Sequence, residues 1–280
     1  MVKAAISSSI TPGNVRITYL PDGYILFNTA AVFPTITATD WQVYRNELDD
    51  NGQLVGSLGA YLLQTPEQTI LVDTGLGPRT YESSRFKCYG GQLLSHLEQA
   101  GLNPADIDIV FITHMHADHV NGAVREANGE LALIFPNARY LIRSAEWHRF
   151  DNQPERRASV ADALHLLEHR IEFAEEGEDI VPGVTVLATP GHTAGHASLL
   201  VTAGEERVII LGDIFYSAVQ IEHPEWTNSL DSDPEQAKIT RRQMLQELAQ
   251  PSTTGAASHV ANSVFIQVVT AHSGFQLLKR

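Results

Sequence analysis

Thr113-His114-Met115-His116-Ala117-Asp118-His119 gathers three imidazoles and a carboxylate into a single short stretch. Directly before it, Asp108-Ile109-Val110-Phe111-Ile112-Thr113 is an apolar run bounded by polar residues, which reads as a buried strand. Alternate side chains at a strand end fall on one side, so His114 and His116 can grip one cation. Asp118 and His119, at the start of the next turn, can grip a second one close by. Imidazole and carboxylate donors suit zinc, iron or manganese, and the lack of thiolates fits an open catalytic site rather than a closed structural one. A solvated polar loop is the blander reading. With 12 histidines in 280 residues, however, such a cluster is improbable by chance.

Outward from this loop, other residues fall into place. Thr189-Pro190-Gly191-His192-Thr193-Ala194-Gly195-His196 follows an expected strand, Val184 to Leu187, and its Pro-Gly turn can aim His192 into a site. His196 is read as a supporting residue, through a hydrogen bond or packing. Asp213 follows another apolar strand, Arg207 to Leu211, and a carboxylate at the end of a buried strand needs a partner. A cation, or two cations bridged by its oxygens, would supply one; a helix N-cap is the alternative.

The rest of the chain frames these loops. Val15 to Leu20 and the residues after Pro21-Asp22-Gly23-Tyr24 read as strand, turn, strand. Leu58 to Gln64 and Thr69 to Val72 are expected strands, as are Ala138 to Ile142, Ser198 to Val201 and Val264 to Val269. Gly91 to Ala100 is an expected amphipathic helix with Leu93, Leu94 and Leu97 on one side, and Val160 to His169 is also helical. Pro234 to Gln250 is the longest helix, with Asp233 as its N-cap. Both halves mix strands and helices, and no Pro/Ser/Gly linker divides them. The expectation is an α/β chain forming one domain over residues 1–280, built of two similar layers, with residues 1–50 as an N-terminal extension.

Composition excludes several functions. The chain has 33 acidic and 19 basic residues, a net charge of −14, which disfavours nucleic acid as a partner. At 43% hydrophobic and 19% charged it has globular composition. No apolar run approaches the ~18–20 residues of a membrane span. Cys88 is the single cysteine, which excludes an internal disulfide framework and cysteine-based zinc fingers. The first ten residues lack the apolar core of a secretory signal, so a cytoplasmic protein is expected.

His114-x-His116-x-Asp118-His119, then His192 after Thr-Pro-Gly, then Gly212-Asp213, with Val72-Asp73-Thr74-Gly75 upstream, resembles the metallo-β-lactamase-fold hydrolase superfamily. The resemblance spans roughly residues 55–260. It implies a four-layer αββα sandwich, mixed α/β (α+β), with a dinuclear metal site at one edge. It makes His114, His116 and His192 ligands of one metal and Asp118, His119 and a last histidine ligands of the other, with Asp213 bridging. For the last histidine, His259 in Ala257-Ser258-His259 is favoured over His272 in Ala271-His272-Ser273. Asp73 is implied to orient the histidine loop rather than to bind metal. The implied cofactors are two divalent ions, Zn2+ first and Mn2+, Fe2+ or Co2+ as alternatives. A metal-bridging hydroxide is the implied nucleophile, with Asp118 orienting it and passing a proton to the leaving group.

Tyr216, three residues after Asp213, sits at the spacing of the N-acyl homoserine lactonases and related lactonases, where a phenol would stabilise an oxyanion. Packing at a strand end is the alternative for this tyrosine. His223-Pro224-Glu225-Trp226-Thr227-Asn228 and the long N-terminal extension resemble the organophosphate-hydrolase group of the same fold. The extension sets the chain apart from the lactonases and suggests a lid or a homodimer contact. Many true β-lactamases of the fold carry cysteine where this chain has Asp213, RNA-processing members carry an added domain, and glyoxalase II-type thioesterases a basic C-terminal region. The function implied is therefore hydrolysis of a lactone or small neutral ester. Alternatives are a phosphotriester or thioester hydrolase of the same fold, and a mononuclear iron redox or non-catalytic metal-binding protein. His165 and His169, four apart, are read as exposed bystanders.

Overall fold

A strand that is apolar along its whole length must be covered on both faces, and Ile109–Phe111 shows how. It lies between Thr69–Val72 and Arg139–Ile142, parallel to both, and all three of its residues are buried. This computed structural model describes residues 2–127, 129–149, 158–272 and 274–278. Ile109–Phe111 belongs to a sheet running Ile171–Phe173, Arg139–Ile142, Ile109–Phe111, Thr69–Val72, Leu54–Gln64, Arg16–Phe27, Phe86–Tyr89, Thr80–Glu82, with Ser8–Ile10 paired onto Arg16–Phe27. A second sheet runs Asp179–Val181, Val184–Ala188, Ala197–Ala203, Glu206–Gly212, Thr253–Ala257, Phe265–Ile266.

The two sheets stack through one apolar layer, in which Tyr19, Tyr61, Ile70 and Phe111 meet Val186, Leu199, Val208 and Ile210. Helices cover the outer faces. Leu93 and Leu97 of one helix, with Ala163 and Leu167 of another, pack on Leu62, Val110 and Tyr140 of the first sheet. Leu245 and Leu248 of Pro234–Leu248 pack on Ile209 and Leu211 of the second. The order of layers is α, β, β, α, as the resemblance implies. Among the described residues no helix is long and apolar enough to cross a membrane.

Parallel pairs bring loops to one edge. Val72 is level with Phe111, so Asp73 and the histidine loop leave the first sheet side by side. Gly212 is level with Ala257, so Asp213 and His259 leave the second sheet together. Ligands gather beyond the carboxyl ends of parallel strands for this reason.

Two sequence expectations need correction. Residues 21–24 form no turn: Arg16–Phe27 is a single strand whose register shifts between Pro21 and Gly23. Asp22 sits at that irregularity, fully buried, and its carboxylate accepts backbone N–H bonds from Leu76 (2.8 Å), Gly77 (3.0 Å), Gly91 (2.9 Å) and Leu93 (3.0 Å). Distant donors satisfy the aspartate that would otherwise favour a local turn. Leu94 does not share the apolar face of its helix; it is 41% exposed, while Leu93 and Leu97 are buried. The strands Thr80–Glu82 and Phe86–Tyr89, the hairpin Val124–Ala127 with Glu130–Leu133, and the division of the tail into Phe265–Ile266 and Val268–Ala271 were not anticipated.

The N-terminal residues also supply the short helices Thr29–Val32 and Ala38–Val43, the second closed by a capping box between Thr37 and Asp40. Phe27, Val32, Phe33 and Trp41 form an apolar cluster with Leu58, Leu76, Cys88 and Tyr216. Burial, then the nearby charge of Asp118, pushes the Cys88 thiol up to about 12, so it stays protonated.

Candidate metal centre

Four loops deliver the site. His114 and His116 lie beyond Ile109–Phe111, and His116 is the N-cap residue of Ala117–Val120, whose first turn holds Asp118 and His119. His192 follows Val184–Ala188, Asp213 follows Glu206–Gly212, and His259 follows Thr253–Ala257.

Their donor atoms form two adjoining groups. In the first, His116 Nδ1 lies 3.0 Å from His114 Nε2 and 2.8 Å from His192 Nε2, which are 3.1 Å from each other. Nitrogens sharing a tetrahedral ion at 2.0–2.1 Å stand about 3.3–3.4 Å apart, close to this spacing. Asp213 Oδ2 completes the group, 3.8 Å from His114 Nε2 and 3.5 Å from His192 Nε2. In the second group Asp118 Oδ2 is 3.7 Å from His119 Nε2 and 3.5 Å from His259 Nε2. Asp213 stands between the groups: its Oδ2 is 3.1 Å from His259 Nε2, and its Oδ1 is 3.1 Å from His119 Nε2.

Two observations fit cations here. His119 Nε2 and Asp213 Oδ1 are buried and face each other, yet neither has a hydrogen-bond partner. Burial, then the neighbouring imidazoles, holds the pKa values of His114 and His116 well below the ordinary range, so both rings are neutral. Neutral rings with converging nitrogens are competent metal ligands. For His119 burial opposes charging, but Asp213, Asp73 and Asp118 outweigh it and raise its pKa well above the ordinary value. That point of the site attracts positive charge, which a bound cation would supply in place of the proton.

Several of the rings are oriented from behind. Asp73 accepts the Thr113 N–H (2.8 Å) and its hydroxyl (2.8 Å), and takes the His119 Nδ1 hydrogen bond at 2.7 Å. His259 Nδ1 donates to the Ser57 carbonyl at 2.9 Å, which turns Nε2 to the site. His196 Nε2 accepts the Asp213 N–H at 3.0 Å, so its Nδ1–H faces Thr189. Burial lowers His196 to about 3, keeping it neutral. Gly212, at φ +57°, is required there, because a Cβ would lie 2.5 Å from His196 Nε2.

Behind His192, Nδ1 lies 3.3 Å from Asp231 Oδ1. Asp231 is paired with Arg241, a guanidinium only 1% exposed that also donates to the carbonyls of Ile214, Pro224 and Trp226. Glu146, fully buried, accepts from Met115 N–H and the Thr193 hydroxyl. The sequence reading singled out none of these three. The available signal was Arg241, a charge on the same face of its helix as Leu245 and Leu248.

Tyr216 is brought into the site. Its hydroxyl is 3.2 Å from Asp213 Oδ2 and 3.1 Å from His192 Nδ1, and its ring stacks on His259. Burial and the charges of Asp213 and Asp231 raise its pKa far above the ordinary value, so it remains a phenol. Asp118 is the most open of the charged groups, its side chain 19% exposed against 3% for Asp213. His272, His165 and His169 are exposed and lie outside both groups.

Comparison with known proteins bears on the family and the fold. The family described as the metallo-beta-lactamase superfamily matches residues 59–254. An N-acyl homoserine lactonase of Bacillus sp is 27% identical over 242 residues, 81% of this chain and 86% of the relative. A probable metallo-hydrolase of Mycobacterium tuberculosis is 28% identical over 174 residues, 55% of this chain and 56% of the relative. Among solved structures, the dizinc quorum-quenching lactonase AidC, with a product bound, superposes with a TM-score of 0.85 at 24% identity, covering 98% of this chain and 97% of its own. The hydrolase AbOPH of the beta lactamase superfamily gives 0.84 at 25% identity, covering 99% and 98%. The near-complete overlap with AidC shows that the N-terminal extension does not set this fold apart from every lactonase, though lactonase structures of Bacillus thuringiensis AiiA type overlap less, at a TM-score of 0.67 over 90% of this chain.

Proposed function

For this chain, which belongs to the metallo-beta-lactamase superfamily, we propose a dinuclear metal-dependent hydrolase that opens a lactone or cleaves a small neutral ester. The observation that carries the reading is the position of Asp213 between two groups of donor atoms. In this reading His114, His116 and His192 would hold one cation and Asp118, His119 and His259 the other, with Asp213 within reach of both groups. All-nitrogen-and-oxygen donors favour zinc, with manganese, iron or cobalt as alternatives. Bound there, two cations would supply a nucleophilic water at neutral pH and polarise a carbonyl.

The chain's own groups do the remainder. Asp118, on the open side, orients the attacking water, takes its proton and delivers it to the leaving alkoxide. Tyr216 keeps its hydroxyl proton, which rests on Asp213 Oδ2 and would turn from it to the substrate carbonyl oxygen, where negative charge develops. A net charge of −14 gives no support to an anionic substrate. Relatives named as lactonases support the lactone over other esters.

The test is a panel of lactones, aryl esters, thioesters and phosphotriesters offered to the zinc-loaded protein, with Asp118→Asn beside it. Lactone turnover that Asp118→Asn abolishes, in a folded variant, is the expected result. Turnover of phosphotriesters alone would replace the substrate class, and a fully active Asp118→Asn would remove the role given to that residue.

A further inference from the structure

We infer that Glu146 is a positioning residue that clamps together the two loops carrying His114, His116 and His192. The inference rests on the metal-centre reading above.

Glu146 lies in the short helix Ser144–His148, outside both donor groups, and is fully buried. Its two carboxylate oxygens serve different loops. Oε1 accepts the backbone N–H of Met115, the residue between His114 and His116, at 2.8 Å. Oε2 accepts the hydroxyl of Thr193, the residue after His192, at 2.6 Å. The first loop leaves one sheet and the second leaves the other. A single planar carboxylate therefore spans the sandwich at the point where three imidazole nitrogens stand 2.8–3.1 Å apart.

The surroundings pair this group and hold it in place. The Arg149 guanidinium donates from Nε to Glu146 Oε1 at 2.5 Å and from Nη2 to the Met115 carbonyl at 3.4 Å. A buried carboxylate is costly unless it is paired and hydrogen-bonded, and this one is both. Gly195 completes the fit: a Cβ there would lie 2.0 Å from the Glu146 nitrogen, so the helix backs directly onto the His192 loop. Metal ligands tolerate displacements of only about 0.5 Å before affinity suffers. The clamp's contacts, at Met115 and Thr193, adjoin the first donor group; Asp118 and His119 follow on the same loop but in the turn Ala117–Val120, with His119 held by Asp73, and His259 lies on another loop held by Ser57.

Thr193→Val tests the clamp with least disturbance, since it keeps Glu146, Arg149 and side-chain shape and removes one hydroxyl. Thr193→Ser restores the hydroxyl. Glu146→Gln keeps an acceptor for Met115 N–H and can donate to the Thr193 oxygen. Each protein is titrated with cobalt(II), followed by visible absorption and by competition with a chelator. The expected result is two cobalt equivalents in the wild type. In Thr193→Val one equivalent weakens by about 10–100-fold with an altered visible band, and the other is unchanged. Thr193→Ser returns to wild type, and Glu146→Gln weakens the same equivalent by less than Thr193→Val. Two unchanged equivalents in Thr193→Val, or equal weakening of both, would overturn the clamp alone. A wild type that takes up no cobalt would overturn the metal centre and the clamp with it.

Discussion

Exchanging Asp73 for Asn replaces one oxygen by an amide nitrogen, and the structure fixes where that nitrogen must go. Thr113 N–H is a backbone donor 2.8 Å from Oδ1, so the amide oxygen stays on that side. The amide nitrogen then occupies the place of Oδ2, 2.7 Å from His119 Nδ1. Two N–H groups cannot face each other, so His119 Nδ1 becomes the acceptor and the ring proton moves to Nε2. That atom points at Asp213 Oδ1, 3.1 Å away, where a cation would sit. Backbone strain does not confound the comparison, because Asp73 has φ +62° and Asn tolerates the left-handed region as well as Asp. Losing a hydrogen bond to a charged acceptor costs about 1.5–3 kcal/mol. At ~1.4 kcal/mol per factor of ten, the cation held by Asp118, His119 and His259 should bind roughly 10–150-fold more weakly. The assay is stepwise zinc binding against a chromophoric chelator, with melting temperatures at fixed free zinc as a second readout. Loss confined to one equivalent is expected. Undiminished binding of both, or equal loss of both, would refute the orientation argument.

Other consequences can be measured directly. Tyr216→Phe should lower kcat on a lactone by about 10²–10³ while zinc content stays at the wild-type level, because one donor to the developing oxyanion is lost; unchanged kcat would return this tyrosine to a packing role. Arg241→Met leaves Asp231 buried without its guanidinium and should cost about 3–5 kcal/mol in guanidinium chloride unfolding; an effect below 1 kcal/mol would show that the pair is dispensable. His196 titrates near 6.5 when unfolded and about 3 when folded, so the unfolded chain binds the extra proton between those values. Its contribution to stability is complete above pH 6.5 and is lost as pH falls toward 3. The metal-free wild type should lose about 1.4 kcal/mol per pH unit more than His196→Gln over that window, as read by denaturant unfolding; parallel pH profiles would contradict the neutral, buried imidazole.

The histidine loop was legible because its donors lie within six residues, and a local pattern survives folding unchanged. Ile109–Phe111 was legible for a similar reason: a strand with parallel neighbours on both sides has no polar face to confuse its reading. Asp73 was placed through a motif, and the structure shows the physical basis, its grip on Thr113 and His119. What escaped the sequence depends on partners far along the chain. Asp231 meets His192 across 39 positions, Glu146 meets Thr193 across 47, and Asp22 meets Leu76 across 54. No local period announces such pairs. Asp22 also shows how tertiary donors override turn chemistry: Pro-Asp-Gly favours a turn, yet four distant N–H groups hold the aspartate inside a continuous strand. Leu94 was misplaced because helical spacing alone does not fix which side of a short helix meets the sheet.

The sharing of Asp213 between two groups of donors is the centre of this account, and metal content per chain tests it most directly. Protein stripped with chelator, dialysed against zinc and measured by elemental analysis should hold about two equivalents per chain, and Asp213→Ala should weaken both. A wild type that saturates at one equivalent, or an Asp213→Ala variant that keeps both at full affinity, would contradict it.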